Sequence, residues 1–349
     1  MRAVKIAGQK ELKEVEIASP EPDGSNVIIR VSLCGICGSD LHYWEAGCGM
    51  GGVTDLILGH EFCGTIIDPG SRKDLVPGER VTALPLDPCG YCETCLAGFP
   101  NICLNALKRS IPGNNSPGAF AEYLKLRPDM VRKLPDSISD AEASLIEPSA
   151  VAMHAIHQAG VRAGDRVLII GGGAIGLLCA AWARISGASR VAVSEINAMR
   201  RSRAAEMVDI DAVYDAGDPE IARKMKKESG GGYEVAIETS ASEAGMNTAL
   251  KTLKWHGRLV LAGISMRPQK ISTIFYVLKE IEQKAAIGYL PAEFDLATAF
   301  ISDKKLMVKN MVTRTVAFKE VQNAFEQLFS GISTDIKIVV QQKTSPDER

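Results

Sequence analysis

The chain has 349 residues, of which 46% are hydrophobic and 23% charged, and its formal net charge is -2. That length accommodates two domains, each with its own core. The balanced charge excludes the basic excess of a nucleic-acid binder and the cationic face of a membrane-surface protein.

Lys10, Glu11, Lys13 and Glu14 fall where a secretory signal would carry an apolar core. The uncharged run Val167–Ala183 is 17 residues long and sits between Arg166 and Arg184. A membrane helix needs about 20 mostly apolar residues, so the run reads as a buried strand, turn and helix. Nine cysteines, four of them clustered, point to metal ligation in a reducing compartment and not to a disulfide framework. The expectation is a cytoplasmic protein with neither nucleic acid nor membrane as partner.

The chain up to residue 149 reads as β-rich. Short apolar runs, Val27–Val31 and Arg80–Leu84, are separated by Gly, Pro and Asp. After the first run comes Cys34-Gly-Ile-Cys37-Gly-Ser39-Asp-Leu-His42, and 18 positions beyond His42 lies His60, followed by Glu61. Cys37, His60 and Glu61 offer S, N and O donors, and three protein ligands plus water is the catalytic zinc pattern. Spacing alone leaves an alternative open, in which the thiols pack as small hydrophobes and His60 is a loop histidine. Cys34, Cys48, Cys63 and Cys179 are read as packing residues.

Cys89, Cys92, Cys95 and Cys103 follow at intervals that let four thiolates wrap one tetrahedral Zn²⁺ with no open position. Gly90, Gly98 and Pro100 let the loop turn around the ion. An iron–sulfur cluster would continue Cys-x3-Cys-Pro, whereas here seven residues intervene and Leu104 follows. Unligated thiols in one exposed loop would oxidise. Glu147 is an isolated carboxylate in an apolar stretch, either a further metal ligand or a holder of metal-bound water.

From about residue 150 strands and helices alternate. The expected order is a strand Arg166–Ile170, a helix Ala174–Ser186, a strand Arg190–Ser194, a helix Ala198–Met207, and strands at Glu234–Ile237 and Arg258–Gly263. Four- and five-residue apolar runs alternating with helices mean a doubly wound parallel sheet, so the fold class is α/β. Gly171-x-Gly173-x-x-Gly176 joins the first of these strands to its helix, the context a dinucleotide fingerprint requires. Gly171 allows the turn, Gly173 admits a pyrophosphate, and Gly176 permits close packing. With Ala174 and Ile175 they form the helix start, whose free N–H groups favour an anion. Glu195, 19 residues past Gly176, suits the ribose hydroxyls and repels a 2′-phosphate, which selects NAD over NADP. Arg200 and Arg201 pull the other way or cover a solvated helix start. A helix Phe318–Phe329 and a strand Asp335–Val340 close the chain, and Lys343–Arg349 reads as frayed.

These motifs together resemble the zinc-containing medium-chain alcohol dehydrogenase family over essentially the whole chain. The matching segments are Gly35–Glu45, Leu58–Glu61, the four-cysteine loop, Gly118–Tyr123, Leu145–Pro148 and Gly171–Gly176. The likeness is strongest to the polyol branch, which includes sorbitol and 2,3-butanediol dehydrogenases. It implies a GroES-like catalytic domain from residues 1–149 and 287–349, and a Rossmann coenzyme domain from 150–286. It implies two zinc ions per subunit: a structural one on the four cysteines, and a catalytic one on Cys37, His60 and either Glu61 or Glu147. It makes Ser39 and His42 a proton relay and places Tyr43 and Tyr289 in the substrate pocket.

The activity so implied is NAD-linked oxidation of a secondary alcohol in a polyol or vicinal diol to a ketone, in a homotetramer or homodimer. Two alternatives stand beside it: an L-threonine or other amino-alcohol dehydrogenase, and a non-catalytic binding member. One departure bears on substrate. Sorbitol dehydrogenases carry arginine before the second tyrosine, and here that residue is Gly288.

Overall fold

β-branched residues crowd the strand Val27–Gly35, which is buried at both ends and more open in the middle. It is the spine of the first of two units in the computed structural model, which describes residues 1–341. This unit comprises Met1–Glu147, Ile301–Asp303 and the chain from Val312 onward. Its seven-stranded sheet runs Val312–Val316, Lys337–Val340, Val27–Gly35, Glu61–Asp68, Arg80–Ala83 and Val131–Lys133, with Tyr123–Leu126 also paired to Val27–Gly35. Val27–Gly35 pairs antiparallel with Glu61–Asp68, and in that register Gly35 stands opposite Glu61.

The apolar faces of this sheet meet the helix Val321–Phe329 around an aromatic cluster. Phe325 stands edge-on to Trp44 and to Phe120, with ring centroids 6.0 and 6.2 Å away. Buried edge-to-face pairs of this kind add roughly 0.5–1.5 kcal/mol beyond their area. Trp44 also donates to Gln322 at 3.3 Å, which pins the short helix Gly38–Ala46 to the closing helix.

The second unit comprises Pro148–Phe300 and Lys304–Met311. Its six strands run Ala212–Asp215, Arg190–Glu195, Arg166–Ile170, Tyr233–Glu238, Leu253–Leu261 and Glu282–Ala285. All five pairings are parallel. The inner strands are buried almost throughout, as a sheet covered on both faces requires. The strand order reverses between Arg166–Ile170 and Tyr233–Glu238, which opens a crevice at their carboxyl ends. The α/β class and the doubly wound sheet read from the sequence are both present. Helices start and stop near their expected ends, Ala174–Ile185 and Ala198–Met207 among them. The expected helix at Phe318 begins as a 3-10 turn, Phe318–Glu320, before Val321–Phe329. Lys343–Arg349, read as frayed, lies outside the described residues.

The return to the first unit differs from the boundary at 287. Residues 287–300 belong with the second unit, and a buried carboxylate ties them there. Glu293 lies 2.9 Å from His154 Nδ1 and 2.7 Å from His157 Nδ1, and it accepts from Leu290 N at 2.7 Å. Phe294 and Ala297 are fully buried, and the Trp182 and Phe300 rings stand 5.0 Å apart. The two histidine partners of Glu293 come more than 130 residues earlier, so no local pattern announces them.

Burial alone would raise the Glu293 pKa. Its bonds to His154 and His157 and to the Leu290 N–H outweigh that and hold it at about 2, below the ordinary 4.5. A depressed folded pKa means stability that is complete above the unfolded value and lost as pH falls towards the folded one. Glu293→Gln is therefore expected to lower stability by about 1–3 kcal/mol at neutral pH, the cost of disturbing a buried hydrogen-bonded group. Denaturation profiles should show that penalty shrinking as pH falls from 4.5 towards 2; a pH-independent penalty refutes the assignment.

Candidate active site

The four clustered cysteines form a cage. Gly90 and Gly98 take positive φ, 78° and 88°, and so reverse the loop without strain. Cys89 Sγ lies 4.0 Å from Cys95 Sγ, and Cys92 Sγ lies 3.9 Å from Cys103 Sγ. A tetrahedral ion with Zn–S bonds of about 2.3 Å needs sulfurs about 3.8 Å apart. The loop's own donors face the sulfurs: Cys92 N and Asn105 Nδ2 each lie 3.3 Å from Cys89 Sγ.

The thiols titrate apart. The Thr94 hydroxyl and the Cys95 N–H hold Cys92 down at about 5. Desolvation pushes Cys95 up to about 12, and bonds to its neighbouring thiols add to the shift. Four such sulfurs ionise together only against a cation, so the donor set fits zinc.

The second cluster grows out of the Gly35–Glu61 pairing. Cys37 follows the first strand and is the N-cap of Gly38–Ala46. His60 immediately precedes the second strand. Cys37, His60 and Glu61 each bring a ligand atom within 4.8 Å of the others. His60 and Glu61 are buried, 6% and 1% exposed. Asp40, fully buried, accepts from Cys37 N at 2.9 Å. Its other oxygen faces His60 Nδ1 at 3.6 Å, just beyond hydrogen-bond distance, and neither atom has a hydrogen-bond partner among the described residues. Asp40 thus stands beside the imidazole where a second carboxylate stands around metal-bound histidine.

The local charge selects for a cation. Burial opposes ionising His60, yet the Cys37 and Asp40 charges push its pKa well above the ordinary value. Glu147, at the start of the helix Ile146–Ala159, acts on His60 and Lys337 through its charge, but it is not among the three whose ligand atoms converge. Lys337, 5% exposed, forms an ion pair with Glu61.

Ser39, His42 and Tyr43 share the helix Gly38–Ala46. Their spacing of three and four residues puts them on one face. The Tyr43 hydroxyl donates to Asn114 Oδ1 at 2.9 Å. Burial, with the charges of Asp40 and Cys37, pushes its pKa up to about 12, so it stays a neutral donor. Tyr289, in the second unit, is 1% exposed and packs on Phe294 at 5.9 Å.

In the second unit the three fingerprint glycines divide their work. Gly171 has φ 105°, and a Cβ there would crowd Thr239 Oγ1 at 2.7 Å. A Cβ on Gly176 would overlap the Gly171 carbonyl oxygen. Gly173, the N-cap of Ala174–Ile185, has nothing within 4 Å of a Cβ position, so space is open where Ala174 and Ile175 begin the helix. Glu195, 6% exposed, accepts from Gly172 N at 2.7 Å and from Asn197 N at 2.8 Å. Arg201 is engaged with Asp215. Arg200 Nε is buried with no hydrogen-bond partner among the described residues.

Two residues of the metal cluster escaped the sequence reading. Asp40 lies three positions after Cys37, where an acidic N3 residue is an ordinary helix-start signal. Lys337 is the lone charge in Ile336-Lys-Ile-Val-Val340, and an isolated charge in an apolar strand was the available clue.

Comparison with known proteins identifies the family. Residues 23–136 match the alcohol dehydrogenase GroES-like domain, and residues 174–303 match the zinc-binding dehydrogenase domain. A probable D-xylulose reductase A of Aspergillus terreus is 33% identical over 334 residues, spanning 93% of this chain and 94% of that protein. A crystal structure of an Escherichia coli oxidoreductase of unknown specificity superposes with a TM-score of 0.89 at 28% identity, covering 98% and 99% of the two chains. The 2R,3R-butanediol dehydrogenase of Bacillus subtilis gives 0.86 at 25% identity, with the same coverage. With both domains matched and a relative aligned over nearly its full length, the chain belongs to the zinc-dependent medium-chain alcohol dehydrogenases, oxidoreductases acting on CH–OH groups.

Proposed function

We propose that the chain oxidises a secondary alcohol of a polyol or vicinal diol to the ketone, reversibly and with NAD. The observation that carries this is the buried S, N, O set of Cys37, His60 and Glu61, with ligand atoms within 4.8 Å. Held there, zinc supplies Lewis acidity that lowers the pKa of an alcohol hydroxyl. Glu61 is assigned as third ligand because its carboxylate converges with the other two, while Glu147 contributes charge. Asp40, on the Nδ1 side of the ring, would help hold the imidazole in place for the metal. Ser39 accepts the hydroxyl proton and His42 relays it to solvent. Overall, a hydride leaves the carbinol carbon for NAD and a proton leaves for water.

Gly173 leaves room for the pyrophosphate at the helix start. Glu195, anchored on the Gly172 and Asn197 N–H groups, faces the ribose hydroxyls and disfavours a 2′-phosphate. Tyr43, neutral and fixed by Asn114, lines the substrate site, and Gly288 removes the polar anchor of a sorbitol enzyme. The relatives' names, D-xylulose reductase and butanediol dehydrogenase, support a ketose or diol pair.

The protein works in the cytoplasm as a homotetramer or homodimer. Nine unpaired thiols among the described residues suit a reducing compartment, and no described helix is long and apolar enough to cross a membrane. The strand Glu282–Ala285 is exposed along its length at the sheet edge, an open ladder that a second copy can extend.

Cys37→Ser is expected to abolish turnover while NADH binding, followed by fluorescence titration, persists; retained turnover sinks the catalytic assignment. Glu195→Ala should narrow the preference for NAD over NADP by roughly tenfold, about 1.4 kcal/mol, in the ratio of kcat/KM values, and an unmoved ratio removes that role. Cys92→Ser should depress the melting temperature and zinc content more than the turnover of the surviving folded enzyme.

A further inference from the structure

We infer that Lys337 is a positioning residue that shares the Glu61 carboxylate with the catalytic metal and thereby sets how readily that site gives up zinc. The inference rests on the metal site proposed above and concerns a residue outside its ligand set. Lysine is almost never fully buried unless paired. Lys337 is 5% exposed, on the wholly buried strand Lys337–Val340, and its ammonium is paired with Glu61, which is 1% exposed.

The pairing has a place built for it. Lys337–Val340 and Glu61–Asp68 flank Val27–Gly35 on opposite edges. Where they approach, the central strand carries Gly35. A Cβ there would overlap Glu61 Oε2 and stand 2.7 Å from Lys337 Cε. The missing side chain is the room through which the ammonium reaches the carboxylate.

Glu61 therefore faces two cations at once. Its two oxygens offer about four lone-pair sites, so ammonium and metal can both be served, but each draws on the same charge. Without Lys337 the buried carboxylate has the metal as its main partner and binds it more firmly. Lys337 acts as a standing competitor that keeps the third ligand loosely held. A purely structural lysine, present to satisfy a buried acid, would leave metal release unaffected or hasten it.

The test follows zinc release from the holoenzyme to a pyridine dicarboxylate chelator with a zinc indicator. Cys37→Ser enzyme supplies the trace of the four-cysteine zinc alone. Lys337→Met should slow the phase absent from Cys37→Ser by roughly tenfold, the size, opposite in sign, of the smallest change that losing a partner of a metal's ligands makes in metal affinity. Lys337→Arg should keep the wild-type rate, and adding Lys337→Met to Glu61→Gln should change nothing further. An unchanged or faster phase in Lys337→Met overturns the inference, as does a slowdown that persists without Glu61. If Lys337→Met does not fold, Lys337→Gln decides by the same comparison. If Cys37→Ser still releases two zinc ions, the metal site itself is misassigned, an outcome distinct from the others.

Discussion

Gly35 stands opposite Glu61 in one antiparallel ladder, and most of the chemistry hangs on that register. Cys37 lies two residues beyond the glycine and His60 one residue before the acid, so the pairing that closes the sheet also brings sulfur and nitrogen together. Side chains alternate with period two along a strand, and a slip of one residue would turn Glu61 to the opposite face. The register is held by apolar neighbours: Cys34 faces Phe62 and Leu33 faces Cys63, all buried. On the other edge Gly35 faces Val339, which brings Lys337 to the same spot. Three strands distant in sequence thus converge on one residue with no side chain.

The coenzyme half works through backbone instead of side chains. Its N–H donors lie at the turn after Arg166–Ile170, and the glycines clear space for both the turn and a ligand. Thr239, on the neighbouring strand's end, bonds Ile170 O at 2.8 Å and fills the volume that Gly171 leaves. Glu195 braces the same turn through Gly172 N. The residue proposed to face the ribose is therefore also part of the scaffold of the glycine turn, and on that proposal coenzyme selectivity and loop shape are coupled through one carboxylate.

Much of this was legible in the residues, for identifiable reasons. The sheet of the second unit announces itself because buried parallel strands are continuous apolar runs, and the glycine turn because its spacing is fixed by sterics. The four-cysteine cage is local, so its spacing suffices. Cys37, His60 and Glu61 are not local: their meeting depends on a strand register that spacing does not reveal, and family resemblance was needed to connect them. Asp40 and Lys337 are read as a helix cap and a stray charge until the fold places them beside the same imidazole and carboxylate. The misplaced boundary at 287 has the same origin. Glu293 reads as one more helix-start acid, and only its contacts with His154 and His157 show which unit claims it.

Charge balance explains why these particular residues surround the open site. Asp40, Glu61 and Lys337 are buried, and Cys37 is partly so. Buried charge persists only when compensated. Cys37, Asp40 and Glu61 offer three acidic groups against one ammonium, an excess that a divalent ion offsets and a neutral water does not. Glu147, less buried than Glu61, adds its charge from a position where solvent shares the cost. Removing Lys337 would deepen the negative excess around the metal, so the lysine and the metal are parts of a single balance. On this view the site is built for a 2+ ion held by an anionic set already partly satisfied.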